Sequence, residues 1–342
     1  MPEQTTERAP ASDAPAPPKM GGARGSGLYL SSAARGTVVP LVGLALLVVY
    51  FGIAADNFLT VDNLYAILRD GAVLLIVAIG MTWVIMMGSI DLSVGAILTL
   101  SGLLTALALQ DGDSVVVAIA IGLGAGLVAG IVNGVLFAYA KIPSFLVTLG
   151  TSMAITGIAQ WAVDGRSVQV LNVGFTDIAS KSLIGDLSNV ALWSLIIYGL
   201  AVLVNFRTRF GRFSYAIGGG EAVARLSGVP VRRFKLYVFI VSGLLAGLAG
   251  ILLTSRIGAA TPAMGATTSL EAIAAVVMGG TALTGGVGGV HRTLLGVLVV
   301  TTLTNGLDTM AVNPYLQSII HGVVVILAVA LTLDRAKLTI LK

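Results

Sequence analysis

The sequence predicts an all-α polytopic membrane protein of about ten transmembrane helices, in two inverted five-helix halves with short broken or re-entrant segments. Three observations carry that expectation. Apolar residues make up 56% of the chain and charged residues 11%, with mean hydropathy +0.97, whereas soluble domains carry about 25% charged residues. The apolar residues fall into ten long runs separated by shorter polar stretches. The 43 glycines suit helices that pack closely in lipid, because a missing Cβ lets backbones approach. The pI near 9.4 does not point to nucleic acid, since the basic residues lie in loops and sort by side of the membrane. With no cysteine, disulfides, thiolate metal sites and cysteine nucleophiles are excluded.

Taken in order, residues 1–36 are rich in Ala, Pro, Gly and Ser without an apolar period, which predicts a disordered cytoplasmic tail. They lack the short apolar core and small-residue cleavage site of a removable signal peptide. Spans are expected over 37–55, 71–88, 93–109, 114–140, 144–163, 190–206, 235–255, 269–283, 293–310 and 315–333. They make a transmembrane domain of 37–333, followed by a cytoplasmic tail of 334–342. The spans 93–109 and 269–283 are short for a bilayer that needs about 20 helical residues, so each is expected as a half-helix or re-entrant piece. With ten crossings and the N-terminus inside, fifteen or sixteen of the 20 Lys and Arg face the cytoplasm, Arg35 being the marginal one. Both termini and the loop 207–234 are therefore expected inside, and 164–189 is the largest outer loop.

The inner loop 207–234 contains Gly218-Gly-Gly-Glu-Ala-Val-Ala-Arg-Leu-Ser-Gly228. Gly218 to Gly220 predict a loose turn, and 221–227 are mostly helix formers with Glu221 and Arg225 spaced to pair. Gly228 and then Pro230 end such a helix. A short capped helix between spans is a protruding knob, the kind of feature a separate soluble driver could engage. The bland alternative is an ordinary solvated loop.

A weak internal repeat runs through the chain. Asn133-Gly134, Pro143 and Asp164 recur as Asn305-Gly306, Pro314 and Asp334, at offsets of 170–172 residues. An interrupted apolar segment precedes each Asn-Gly: Gly88-Ser-Ile-Asp-Leu-Ser-Val-Gly95, and Gly285-Gly-Val-Gly-Gly-Val-His291. Matching interruptions point to a translocation site. The pathway candidates are Gly88, Asp91, Ser93, Gly95, Asn133, Gly279, Gly280, Thr281, Gly285, Gly286 and Asn305. Asp91 is the only charge between Gly71 and Gln110, where a carboxylate costs about 2.5–3.5 kcal/mol on insertion scales. It is expected to cap the helix that follows, a structural role at a break that itself matters. Asn133 and Asn305 suit interhelical hydrogen bonds better than solute contact. Glu271 suits the positive end of a helix. Trp83, Trp161 and Trp193 are expected as interfacial anchors. His321 has no second ligand at metal spacing, and no phosphate loop, Ser/His/Asp set or paired carboxylate is present. The residues thus present neither catalytic apparatus nor an energy source.

Three stretches together resemble the membrane permease subunits of bacterial ATP-binding cassette (ABC) importers for monosaccharides, the ribose, xylose and galactose group. They are Gly80-Met-Thr-Trp-Val-Ile-Met-Met-Gly-Ser-Ile-Asp-Leu-Ser-Val-Gly95, Gly218-Gly-Gly-Glu-Ala-Val-Ala-Arg-Leu-Ser-Gly-Val229 and Ala272-Ile-Ala-Ala-Val-Val-Met-Gly-Gly-Thr-Ala-Leu-Thr-Gly-Gly286. The resemblance covers about 57–333. It implies a homodimer in the bacterial inner membrane, a cytoplasmic ABC ATPase pair carrying ATP and Mg, and a periplasmic or lipid-anchored solute-binding protein. This chain would hold no cofactor. The resemblance also implies that Gly219, Gly220, Glu221, Ala222, Arg225, Leu226, Ser227 and Gly228 form the helix coupling the permease to its ATPase. Three departures stand out: Gly220 where relatives often have Asn, His291-Arg292 where small residues are usual, and an N-terminal tail longer than the family's. Nucleoside or branched-chain amino-acid permeases, an autonomous carrier and a membrane enzyme or scaffold remain as other classes. A solute route along the two-fold interface and one through each subunit both stay open.

Overall fold

The computed structural model describes residues 32–332. Among them, six helices are long and apolar enough to cross a membrane. They are α1 (Ser32–Ala54), α2 (Val61–Met86), α4 (Val115–Ala138), α5 (Ser144–Ala162), α7 (Asn189–Arg207) and α10 (Val231–Ile257). Two shorter apolar helices are α3 (Val94–Gln110) and α11 (Thr268–Met278). The remaining helices are α6 (Val173–Ser180), α8 (Arg209–Gly219), α9 (Glu221–Leu226), α12 (Val290–Thr309) and α13 (Pro314–Thr332).

Helix α2 is the axis of the bundle. Every residue from Gly71 to Met86 is buried, as an apolar-all-round helix must be when other helices surround it. It begins ten residues before the expected 71: Thr60 caps it, its Oγ1 accepting from Asn63 N–H at 3.3 Å. A hydropathy window stops at Arg69-Asp70, but the helix does not. Those charges sit at an exposed turn of the helix, where Asp70 pairs with Arg69 at 3.4 Å and Arg256 at 3.2 Å.

Helix α10 is the second axis and packs mainly on α3 and α4. Small residues set the distance there, since a Cβ on Gly130 would lie 2.6 Å from the Phe239 carbonyl. The two axes are exchanged. Helix α10 packs on α3 and α4 of the first half, and α2 packs on α11 and α12 of the second. The order of a short apolar helix, a helix carrying Asn-Gly and a helix starting beside proline recurs in α3–α4–α5 and α11–α12–α13. In both sets the short helix touches the other two.

Several expectations need correction. Helix α1 begins at Ser32, five residues inside the expected tail; 1–31 and the tail 334–342 lie outside the described residues. Helix α11, 11 residues long, covers only 269–278 of the expected 269–283, the rest opening a glycine-rich loop. The loop 164–189, expected outside, holds α6 and short strands, so the chain is not purely helical. In β1 (Val168–Gln169) and β4 (Ala259–Ala260), Val168 pairs with Ala260; β2 (Ser182–Ile184) and β3 (Leu187–Ser188) form a hairpin. Trp83 is not an interfacial anchor. It is buried, donates from Nε1 to Asn205 Oδ1 at 3.3 Å and meets Phe210 edge-on at 5.1 Å. Trp161 and Trp193 are exposed.

Candidate functional site

The knob is built in two steps. Thr208 starts α8 by accepting from Phe210 N–H at 3.1 Å, and α8 continues through Gly218 and Gly219. The loose turn expected over Gly218 to Gly220 is therefore absent; only Gly220 breaks the helix before α9. Glu221, Ala222, Arg225 and Leu226 lie on α9, Ser227 ends it, and Gly228 follows at φ +82° in the left-handed stop.

Glu221 pairs with Arg225 at 2.7 Å, as its spacing predicts. It also pairs with Lys235 of α10 at 2.7 Å, which sequence spacing could not show. That second bond pins the knob to the second axis of the bundle. The Lys235 hydrogen bond, chiefly, and Arg225 hold the Glu221 carboxyl below its ordinary range. Ala224 faces inward, whereas Val223 is 68% and Leu226 90% exposed, an apolar pair one helical turn apart on the outer face. Val223 was not among the expected coupling residues; its i,i+3 spacing to Leu226 is the signal that could have found it.

At the root of the knob, three backbones meet without side chains between them. A Cβ on Gly218 would collide with the Met86 carbonyl at the end of α2 and with Gly286 N in the loop after α11. Gly285, at φ +81°, has no room for one either, with Gly88 N 2.7 Å and Gly218 Cα 3.0 Å from the Cβ position. Gly286 N–H closes the junction by donating to the Met86 carbonyl at 3.0 Å. Tyr215 of α8 adds a hydroxyl bond to the Gly288 carbonyl. The end of α8 thus touches the end of α2 and the second interruption directly, and reaches Gly88 of the first through Gly285. Gly279, Gly280 and Thr281 shape the same loop. Gly279 ends α11 against the Arg292 carbonyl, Gly280 takes φ +86°, and buried Thr281 accepts from Gly289 N–H at 3.2 Å.

Beyond Gly88 the chain enters a buried polar network. Asp91 is 1% exposed. Its Oδ1 accepts from Ser93 N–H at 3.0 Å and Ser93 Oγ at 2.6 Å, and its Oδ2 accepts from Ser242 Oγ of α10 at 3.0 Å. It therefore closes a local turn rather than capping α3. The cap comes from the start of α11: Ser269 Oγ accepts from Gly95 N–H and donates to the Leu92 carbonyl, both at 3.0 Å. Asn133 of α4 is interhelical as expected, donating to Ser93 Oγ at 2.8 Å and accepting from Thr151 Oγ1 of α5 at 2.7 Å. Asn305 belongs to a different contact, a reciprocal amide pair with Asn63 of α2 at 2.9 and 3.0 Å. The junction and the Asp91 network together join a polar knob to both interruptions and to α10. That arrangement can transmit displacement; it presents no nucleophile and base.

The comparisons fit that reading. Residues 63–329 match the family described as branched-chain amino acid transport system / permease component. The ribose import permease protein RbsC of Bacillus subtilis is 40% identical over 87% of this chain and 92% of its own length. RbsC of Escherichia coli is 39% identical over 84% and 91%. The D-allose transport system permease protein AlsC of Escherichia coli is 37% identical over 84% and 89%. No solved structure matches the chain. On these matches, the chain belongs to the branched-chain amino acid transport system / permease component family and is a membrane permease subunit.

Proposed function

We propose that this chain is the permease subunit of an ABC importer that carries a monosaccharide, a pentose or hexose, across a bacterial inner membrane by alternating access. The observation that carries the proposal is the glycine junction, where the end of α8, just before α9, meets the end of α2 and Gly285-Gly286, with Gly88 against Gly285. The six long apolar helices with α3, α12, α13 and α11 continued by the glycine loop after it make the ten crossings, in two inverted halves, with both termini cytoplasmic. Two copies form the transport unit. Each α9 engages a cytoplasmic ATPase through Val223 and Leu226, and ATP and Mg act there. A periplasmic or lipid-anchored binding protein presents the solute.

Closure of the ATPases displaces α9, the end of α8 follows, and the shared contacts at Gly88, Gly218, Gly285 and Gly286 pass the movement to both interruptions. The residues Gly88, Asp91, Ser93, Gly95, Asn133, Gly279, Gly280, Thr281, Gly285 and Gly286 frame the route, Asp91 and Asn133 as supports rather than solute ligands. A pathway with few intramembrane charges suits a neutral polar solute, and relatives of similar length are named for ribose and allose. The test is uptake of labelled D-ribose in a deletion strain carrying the chain with its ATPase. Competition by unlabelled D-ribose or D-allose, but not by adenosine or leucine, is expected. Competition by leucine or adenosine with none by sugars would overturn the solute class. Uptake that survives ATP depletion and collapses with an uncoupler would overturn the importer reading.

A further inference from the structure

His291, half of the departure at 291–292, has no part in the coupling reading. It stands in the first turn of α12, directly after the glycine loop and just ahead of the expected span 293–310. Its ring packs on Phe206 near the end of α7, with centroids 5.1 Å apart. Its backbone carbonyl accepts from Tyr198 Oη, about two turns back on α7, at 2.9 Å. Across the ring lies Gly289, where a Cβ would sit 3.1 Å from both Cε1 and Nδ1 of the imidazole and 2.5 Å from Tyr215 Oη. The imidazole and the Tyr215 hydroxyl therefore converge on one glycine. That hydroxyl donates to the Gly288 carbonyl, the bond that holds α8 to the glycine loop.

His291 Nδ1 is buried and has no hydrogen-bond partner among the described residues. A neutral imidazole can leave that nitrogen as an unused acceptor, whereas imidazolium makes it an N–H that needs an acceptor. The surroundings supply no counter-charge. The elements packed on the ring bring Tyr198 and Arg207 of α7 and Arg209, Arg212 and Tyr215 of α8. The glycine loop brings no titratable group, nor does α2 after Asp70 or α11 after Glu271. Helix α1 meets α12 farther along, with Phe51 against Gly306. Burial first, and then the charge of Arg292, push His291 below its ordinary 6.5. The packed ring thus takes up a proton less readily than a free one. Its packing is fully favoured above about pH 6.5 and weakens as pH falls from there toward the lowered value.

We propose that His291 is a positioning residue for coupling: its neutral ring holds the glycine loop against α8, and acidification on the cytoplasmic side releases the loop and uncouples transport. The proton acts through Tyr215 and Gly288, since a ring driven off Phe206 no longer braces Gly289 beneath that bond. The inference rests on the coupling reading above, in which this junction carries the movement and this side is cytoplasmic. It holds whichever solute is carried.

Two measurements between pH 7.5 and 5.5 test it. One is amide-exchange protection of 279–289 in the purified full chain, corrected for the intrinsic pH dependence of exchange. The other is uptake per ATP hydrolysed in vesicles holding the chain with its ATPase. In the wild type both are expected to fall on acidification, uptake per ATP by at least about threefold, within the limit of about tenfold per pH unit that one proton allows. His291→Phe keeps a ring against Phe206 without a proton, and His291→Gln keeps polarity without one. Both should give flat profiles, with a thermal melt to check folding. The chain has one other histidine, and His321→Gln should keep the wild-type profile. Loop protection that falls equally in the wild type and in both folded variants would overturn the proposal. A His291-dependent loss of protection with constant uptake per ATP would overturn its link to coupling. Uptake that needs no ATP would defeat the importer reading alone, because the exchange measurement requires neither ATP nor solute and still decides the histidine.

Discussion

Adding one methyl group at Gly218 should uncouple transport, and adding one at its neighbour Gly219 should not. A Cβ at 218 overlaps the Met86 carbonyl and Gly286 N, backbone atoms of two different segments, whereas a Cβ at 219 meets nothing within 4 Å. Backbone cannot rotate out of the way as a side-chain tip can. Overpacking of this kind costs about 1–3 kcal/mol, and a double backbone overlap belongs to the upper part of that range. About 2–3 kcal/mol lowers the population of the packed junction roughly 30- to 150-fold. Both residues lie in the last turn of α8, so helix propensity changes similarly in the two variants. The assay is solute uptake into vesicles holding the permease with its ATPase, at matched expression, beside ATP hydrolysis and a thermal melt. Gly218→Ala is expected to lose at least tenfold in uptake per ATP hydrolysed while the ATPase still copurifies. Wild-type uptake by Gly218→Ala, or equal damage in Gly219→Ala, would refute the junction as the transmitting contact.

Other expectations follow from the same geometry. Glu221→Gln loses both ion pairs; the carboxylate is well exposed, so its effect on the melting free energy is about 1 kcal/mol or less, with a larger fall in ATPase copurification. Because the folded carboxyl is held below its ordinary 4.5, its contribution is fully present above about pH 4.5 and is lost as pH falls through the lowered value. ATPase retention measured against pH should show that loss in the wild type and not in Glu221→Gln. Asp91→Ala strands buried donors from Ser93 and Ser242 and should cost at least about 2 kcal/mol in a detergent melt, with Asp91→Asn milder. A stable Asp91→Ala without transport would instead make Asp91 a solute contact. Asn63→Ala and Asn305→Ala should couple in a double-mutant cycle by about 0.6–1.7 kcal/mol.

What the sequence made legible was whatever repeats locally. Apolar runs and the Glu221–Arg225 spacing pointed to a helical membrane bundle, of which six helices are long enough to span, and to the short helix α9, and the stop at Gly228 follows from glycine's access to left-handed backbone. What it hid was long-range partnership. Nothing near Glu221 announces Lys235, fourteen residues on. Asp91 reads as a helix cap because Ser269, the residue that performs that task, lies 174 residues from Gly95. Helix ends were misplaced where charge interrupts hydropathy without interrupting hydrogen bonding, as at Arg69-Asp70. The glycines around 88, 218 and 285 were visible as composition, yet their meaning is mutual contact, which no single stretch contains.

The central claim is that α9 carries the driving contact, and the absence of native cysteine makes it directly measurable. Leu226→Cys places the only thiol on the outermost face of the knob, at a side chain 90% exposed. Labelling by a soluble maleimide should be rapid in the permease alone, blocked when the ATPase is bound, and altered again when ATP is added. Equal labelling rates with and without bound ATPase would contradict the account.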